Sequence, residues 1–239
     1  MSARLDVENL TAGYGDITVL HSVSFSASAP GITAVIGSNG AGKTTLLRAL
    51  SGLTPVTEGS FALNGRSLGE LGPDGVVRAG VAHVPEGRRL FAGMTVEDNL
   101  LMGSFSRPAA KVEIRRDLDA VYELFPRLAE RRRQNAVSMS GGEQQMCAIG
   151  RGLMAKPRLM LIDELSLGLA PVAVDLLVDA LRRLAASGLG LLVVEQDVAV
   201  ALDLAETALV LDRGRITRQG PAREVGADPA IRAAYLGTD

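Results

Sequence analysis

Apolar residues near the start of the chain are set two apart. Leu5 and Val7, then Ile17, Val19 and Leu20, then Val23 and Phe25 alternate with polar positions around Gly13, Gly15 and Asp16. That period predicts half-buried strands joined by turns. Ile32 to Ile36 is a short β-branched run ending at Gly37. Lys43 to Leu50 follows, with Leu46, Leu47 and Leu50 at helical spacing and Gly52 placed as a stop. The order is strand, glycine-rich loop, helix. Gly59 to Arg66 predicts a second hairpin, because Asn64-Gly65 favours a tight turn.

From Thr95 the period turns helical. Thr95 and Asp98 can cap a helix through Leu100 and Leu101. Lys111 to Leu124 predicts an amphipathic helix with Ile114, Leu118, Val121 and Leu124 on one side. After Pro157 strands return. Leu159 to Ile162 is continuously apolar, as a parallel strand covered on both faces must be. Pro171 begins a helix through Leu184 that stops at Gly188. Leu189 to Val194 is a second buried strand, and Leu209 to Leu211 turns back through Asp212-Arg213-Gly214 to Ile216. Ile231 to Leu236 predicts a short helix. The expected fold class is α/β with a helical insertion.

A chain of 239 residues suits one large domain or one domain carrying an insertion. With 47% hydrophobic and 22% charged residues it is not a disordered chain. Lys plus Arg is 25 and Asp plus Glu is 27, a net charge of −2, which gives no ground for nucleic-acid binding. Arg131, Arg132 and Arg133 read as a solvated helix end, since no aromatics interleave with them. The single cysteine, Cys147, excludes an internal disulfide and reads as a packed small residue; His21 and His83 read as structural. Met1 to Asn9 lacks the apolar run of a signal peptide, and no stretch approaches the ~18 apolar residues of a spanning helix.

The chemistry concentrates in three places. Gly37-Ser38-Asn39-Gly40-Ala41-Gly42-Lys43-Thr44 fits the phosphate-loop template G-x-x-x-x-G-K-[ST], between a buried strand and a helix. Its glycines let several N–H groups converge on one anion, and the helix behind adds its positive end. Lys43 can reach the β- and γ-phosphates, and Thr44 can offer a hydroxyl to Mg²⁺. Asp163 ends a strand at the crevice where such sheets bind ligands, suited to Mg²⁺; Glu164 follows, suited to polarise a water. Ser140-Gly141-Gly142-Glu143 opens a third, helical run. Ser140 and Glu143 form a capping box, and the two glycines strip side chains from the helix end, leaving a second phosphate surface. One nucleotide needs only one loop with a lysine, so the second surface points to a nucleotide held by another subunit.

With Met139 before it and Gln144-Gln145 after it, this last segment resembles the signature of ATP-binding-cassette (ABC) ATPases, and the three motifs stand in that family's order. Val84-Pro85-Glu86-Gly87-Arg88-Arg89-Leu90-Phe91, Met94 to Leu100, Ser166 to Pro171, Val194-Glu195-Gln196 and Ala234-Tyr235-Leu236-Gly237 are similar to one branch, the second ATP-binding subunit of branched-chain amino acid importers.

The resemblance implies a P-loop NTPase (RecA-like) core, about residues 1–89 and 157–239, with an N-terminal antiparallel β subdomain and an inserted helical subdomain, about 90–156. It implies ATP and Mg²⁺ as ligands: Tyr14 against adenine, Gly37 to Thr45 (Ser38, Asn39, Gly40, Ala41, Gly42, Lys43, Thr44 and Thr45 included) on the phosphates, Thr44 and Asp163 on Mg²⁺, and Glu164 as catalytic base with Gln196 at the γ-phosphate switch position. Ser140, Gly141, Gly142 and Glu143 would meet ATP on the opposite subunit, while Gly168 and Ala170 lie in the segment crossing between subunits. Glu86 would face the membrane partner, with the docking groove around Glu86 to Met94 and the helical insertion. The implied partners are a second ABC ATPase subunit (a heterodimer, or a homodimer for the isolated chain), two membrane permease subunits and, indirectly, an extracytoplasmic amino-acid binding protein. No nucleic acid is implied. The implied location is cytoplasmic, peripheral on the inner face of the membrane.

Three residues depart from the general family. Glu86 and Gln196 stand where glutamine and histidine are usual, and both are typical of the importer branch. Glu86 either ligates Mg²⁺ or pairs with Arg88 or Arg89. Leu165 replaces a common proline, which predicts a looser turn. Two alternatives stay open: another small polar cargo such as urea or amides, and an ATP-gated subunit with weak hydrolysis.

Overall fold

The structure, a computed structural model, describes residues 3–236. Gly237, the last residue of the branch-like ending, lies outside them. Two sheets form the frame. The N-terminal strands β1 (Arg4–Tyr14), β2 (Ile17–Ser28), β4 (Val56–Leu63) and the two-residue β5 (Arg66–Ser67) pair antiparallel in the order β2-β1-β4-β5. On β1 the buried residues change phase, from Leu5 and Val7 to Leu10 and Ala12. A period of two allows that only if one residue is extra. The register shifts between Val7 and Leu10, where Asn9 has φ 49°. β2 makes the matching change from Leu20 to Val23 at Ser22, φ 53°.

The second sheet runs β10-β9-β3-β8-β7-β6, built from β3 (Gly31–Ile36), β6 (Val81–Val84), β7 (Leu159–Asp163), β8 (Gly190–Glu195), β9 (Thr207–Asp212) and β10 (Arg215–Pro221). All its pairs are parallel except β9 with the edge strand β10. Every residue of β3, β7 and β8 is buried, the reason these runs lack polar alternation. Leu46, Leu47 and Leu50 of α1 (Lys43–Leu50) fill one face, where the antiparallel sheet also closes. The other face is covered by the chain between β6 and β7 and by the helix after β7.

That intervening segment holds α3 (Val96–Met102), α4 (Lys111–Leu124), α5 (Pro126–Glu130) and α6 (Gly141–Leu153); a short helix α2 (Pro73–Arg78) precedes β6. Leu100, Leu118, Val121, Leu128 and Ile149 share one apolar cluster with Met160, Ile162, Leu191 and Val193 of the sheet. The helical insertion is therefore packed onto the core. α7 (Pro171–Ala186) joins the same cluster through Leu177 and Leu181, and α8 (Val198–Leu204) follows β8. Cys147 is fully buried and free, as its reading as a packed residue requires.

Candidate active site

The phosphate loop links the buried strand β3 to α1. Gly37 is required by proximity: a Cβ there would lie 2.1 Å from the Leu211 carbonyl oxygen. Gly42, the N-cap of α1, sits at φ 105°, a conformation glycine enters without a steric penalty. No side chain caps α1 and its first turn has no acidic residue, so its N–H groups stay open to an anion. Lys43 is nearly buried, and its Nζ donates to Gly37 O at 2.7 Å and Ser38 O at 3.1 Å. Burial lowers its pKa, opposed by Glu164, Asp163 and Glu195.

A cavity of about 380 Å³ opens over this loop. It is lined by Asn39, Gly40, Gly42, Lys43, Thr44 and Thr45 of the loop and helix start, and by Val19, Glu86, Glu164 and Gln196. A larger cavity, about 510 Å³, lies elsewhere, among Arg66, Arg78 and Arg158, and holds none of the motif residues.

The end of β7 brings two carboxylates beside the loop; Glu164 lines the cavity and Asp163 does not. Asp163 closes β7, 1% exposed, and its Oδ1 accepts from Thr44 Oγ1 at 3.3 Å. Burial pushes the Asp163 pKa up to about 6, with Glu164 and Glu86 adding to it and the Thr44 bond and Lys43 opposing it. Glu164 is also raised, by burial first and by Glu86, against the Gln196 bond and Lys43. Oδ2 of Asp163 and Oε2 of Glu164 are buried without protein partners. Glu164 holds φ 56°, the left-handed region that a side chain of this size rarely enters. Gln196 Nε2 donates to Glu164 Oε1 at 3.0 Å.

Two expectations change here. Glu86 pairs with neither arginine: Arg88 Nη1 donates to Gln144 Oε1 at 3.4 Å, and Arg89 Nε donates to the backbone oxygen of Glu86 at 3.3 Å. Glu86 instead lines the cavity. The turn at Leu165 is not loose either. Leu165 is fully buried, and Ser166 is held by Glu195 through its N–H (2.7 Å) and its hydroxyl (2.9 Å). Core burial and two hydrogen bonds do there what a proline ring does elsewhere.

Tyr14 ends β1 beside the loop. The residue is 44% exposed; its hydroxyl lies 3.5 Å from Thr45 Oγ1 and its ring centre 5.9 Å from the Arg48 guanidinium. None of Ser140, Gly141, Gly142 and Glu143 lines the cavity. They open α6 with the expected capping box, Glu143 Oε2 accepting from Ser140 N (3.0 Å) and Oγ (2.8 Å). Arg131 Nε pairs with Glu143 Oε1 at 2.9 Å, so the first residue of the arginine run is bonded rather than merely solvated. Gly142 is buried, and a Cβ on it would meet Ala173 Cβ at 2.6 Å. Close packing of α6 on α7 thus also demands that glycine.

Sequence reasoning assigned no role to Val19, Glu195 or Arg151. Arg151 on α6 donates to Arg89 O (2.7 Å) and Arg88 O (3.2 Å) and lies 5.2 Å from the Phe91 ring centre, tying the Glu86 loop to the signature helix. Glu195 carried a signal: like Asp163, it ends an apolar strand with a carboxylate. The other two carry none, since only tertiary contact selects them.

Comparison with known proteins gives the family. The ABC transporter family model matches residues 20–166. The high-affinity branched-chain amino acid transport ATP-binding protein BraG of Pseudomonas aeruginosa is 44% identical over 233 residues, 98% of this chain and 99% of that protein. The probable branched-chain amino acid transport ATP-binding protein LivF of Archaeoglobus fulgidus is 35% identical, covering 90% of this chain and 91% of its own. The crystal structure of an ATP-binding cassette of an ABC transporter in its ADP conformation superposes with a TM-score of 0.85 over 99% of both chains; at 24% identity it speaks for the fold alone. The chain belongs to the ABC transporter family of ATP-binding cassettes, ATPases coupled to transport.

Proposed function

We propose that this chain is the ATP-hydrolysing subunit of an importer for branched-chain amino acids. The observation that carries the activity is the convergence of Lys43, Thr44, Glu164 and Gln196 on one cavity. The cargo is supported by the near-full-length likeness to two proteins named for branched-chain amino acid transport.

In this reading the loop N–H groups, the open end of α1 and Lys43 bind the phosphates of ATP, while the exposed Tyr14 ring takes the adenine. The residues present fit Mg²⁺. Thr44 Oγ1 and the unpartnered Asp163 Oδ2 belong to one bonded pair beside the phosphate loop. Among the described residues no three His, Cys, Asp or Glu side chains form a metal cage; Mg²⁺ bound with a triphosphate needs only one or two protein oxygens. When bound, the ion would neutralise charge on the phosphate oxygens. Glu164 takes the proton of the attacking water as the bond to the β-phosphate oxygen breaks, and its raised pKa makes it a stronger base. Gln196 spends one amide hydrogen on Glu164 and keeps the other for the γ-phosphate. Hydrolysis is favoured over ATP-gated binding with weak turnover because that amide already orients the base.

Ser140, Gly141, Gly142 and Glu143 lie off the cavity, which supports their use on ATP held by a second ABC subunit. Closing the pair is then driven by contacts that neither chain completes alone. Two membrane permeases would dock at the Glu86 loop and the helical insertion, and an extracytoplasmic amino-acid receptor would act through them. Among the described residues no helix is long and apolar enough to cross a membrane. This accords with a cytoplasmic subunit seated on the inner face through its partners.

Reconstitution of the complex in proteoliposomes tests the cargo. Receptor loaded with leucine should stimulate ATP hydrolysis and uptake. Stimulation by urea or an amide in place of leucine overturns the cargo assignment.

A further inference from the structure

Glu195 ends β8 and is 1% exposed, yet it does not line the nucleotide cavity. Among the described residues it forms no ion pair. A buried carboxylate without a cation persists only if its oxygens are well hydrogen-bonded. Here Oε1 accepts from Ser166 N at 2.7 Å, and Oε2 accepts from Ser166 Oγ at 2.9 Å and from Gln196 N at 3.1 Å. Two of these groups, the N–H of Ser166 and of Gln196, can only donate, and they meet different oxygens. An acceptor is therefore needed on both branches; an amide offers one acceptor and turns two hydrogens toward the other N–H.

The place of Ser166 gives this arrangement its meaning. It lies two residues beyond Glu164, with fully buried Leu165 between. Glu164 is held in its left-handed conformation from the strand side by its own N–H, which donates to Val194 O at 3.0 Å, and by Gln196. Three consecutive residues of one strand end, Val194, Glu195 and Gln196, thus each fix part of the segment Glu164 to Ser166. A non-glycine residue at positive φ persists only where its surroundings over-determine it. Without Glu195 the far side of Glu164 keeps the burial of Leu165 and loses both hydrogen bonds on Ser166.

We propose that Glu195 is a positioning residue for ATP hydrolysis: its buried carboxylate binds Ser166 to the end of β8 and so holds the Glu164 carboxylate in its working place. The proposal rests on Glu164 being the base. The same tether sets where the following loop, Ser166 to Ala170, leaves the core.

The test uses the purified full chain and compares Glu164→Gln, Glu195→Ala, Glu195→Gln and Ser166→Ala in steady-state ATP hydrolysis, with Mg-ATP affinity measured separately. Glu164→Gln should lose about 10²–10⁴-fold in kcat, the range of a positioned base. Glu195→Ala should lower kcat by about ten- to a hundredfold, the range for a misplaced group. Its KM and Mg-ATP affinity should stay within about twofold, because the phosphate loop is untouched. Glu195→Gln, with one acceptor left, should fall between wild type and alanine. Ser166→Ala combined with Glu195→Ala should be no slower than Glu195→Ala alone, since both cut one link. Wild-type kcat in Glu195→Ala beside an inactive Glu164→Gln overturns the positioning role and spares the base. Equal losses in kcat and affinity, or additive effects in the double variant, overturn it too. Full turnover in Glu164→Gln overturns the base assignment first. Should Glu195→Ala fail to fold, wild-type kcat in both Glu195→Gln and Ser166→Ala is the overturning result.

Discussion

Gln196 Nε2 donates to Glu164 Oε1 across 3.0 Å, and both residues line the cavity over the phosphate loop. A neutral amide thus orients the carboxylate without contributing charge. Removing one hydrogen bond to a charged group is worth about 1.5–3 kcal/mol. Gln196→Ala should therefore hydrolyse ATP about ten- to a hundredfold more slowly while still binding Mg-ATP. An unchanged steady-state rate would remove Gln196 from the reaction.

Lys43 sits almost buried, with its ammonium on two loop carbonyls. Lys43→Ala deletes the one side-chain cation of the loop and a desolvated charge together. Mg-ATP affinity should fall at least tenfold, by the same figure for charged hydrogen bonds. The unfolding temperature should hold or rise, since burial of the ammonium carries its own penalty. Titration with a fluorescent nucleotide beside a thermal scan reads both. Full affinity would take Lys43 out of the phosphate site.

His83 on β6 gives a pH dependence of stability. Ser51 Oγ lies 2.8 Å from Leu47 O and 3.2 Å from His83 Nδ1, while His83 Nε2 is buried without a partner. Burial, helped by Arg48, lowers the His83 pKa from 6.5 to about 4. Between those values the unfolded chain takes up a proton that the folded chain refuses. Stability contributed by the neutral ring is complete above pH 6.5 and is lost as pH falls toward 4, by at most about 3 kcal/mol. Urea midpoints of the wild type should fall over that window more steeply than those of His83→Gln. Parallel curves would show that other groups set the acid limb.

Gly142 separates two reasons for one glycine. An added methyl meets Ala173 Cβ at 2.6 Å, and overpacking of this kind costs about 1–3 kcal/mol. Gly142→Ala should lower the urea midpoint, and Ala173→Gly in the same chain should recover part of the loss. A neutral Gly142→Ala would mean that the position answers to the nucleotide of the opposite subunit and not to helix packing.

Most of the frame was legible before folding. The limits of α1 and α4 coincide with the apolar spacing of Lys43 to Leu50 and Lys111 to Leu124. The runs in β3, β7 and β8 announced a sheet covered on both faces. The short elements were missed: α2, α5 and α8 have 6, 5 and 7 residues, hardly two turns each, too few for a period to show. The bulges at Asn9 and Ser22 were not read from the sequence; they appear in the pairing of β1 with β2.

For the site, residue order alone determined the phosphate loop, the carboxylate pair at the end of β7 and the capped signature helix, because each is a local device. Loop conformation, strand end and helix cap depend on residues a few positions apart. The tertiary structure decided what joins separate elements: Gln196 on Glu164 and Glu195 on Ser166 between strand ends, Arg131 on Glu143 and Ala173 against Gly142 between helix ends. Those partners lie 32, 29, 12 and 31 positions apart in the sequence. No spacing rule links such positions; burial of both sheet faces brings them within hydrogen-bond or van der Waals reach.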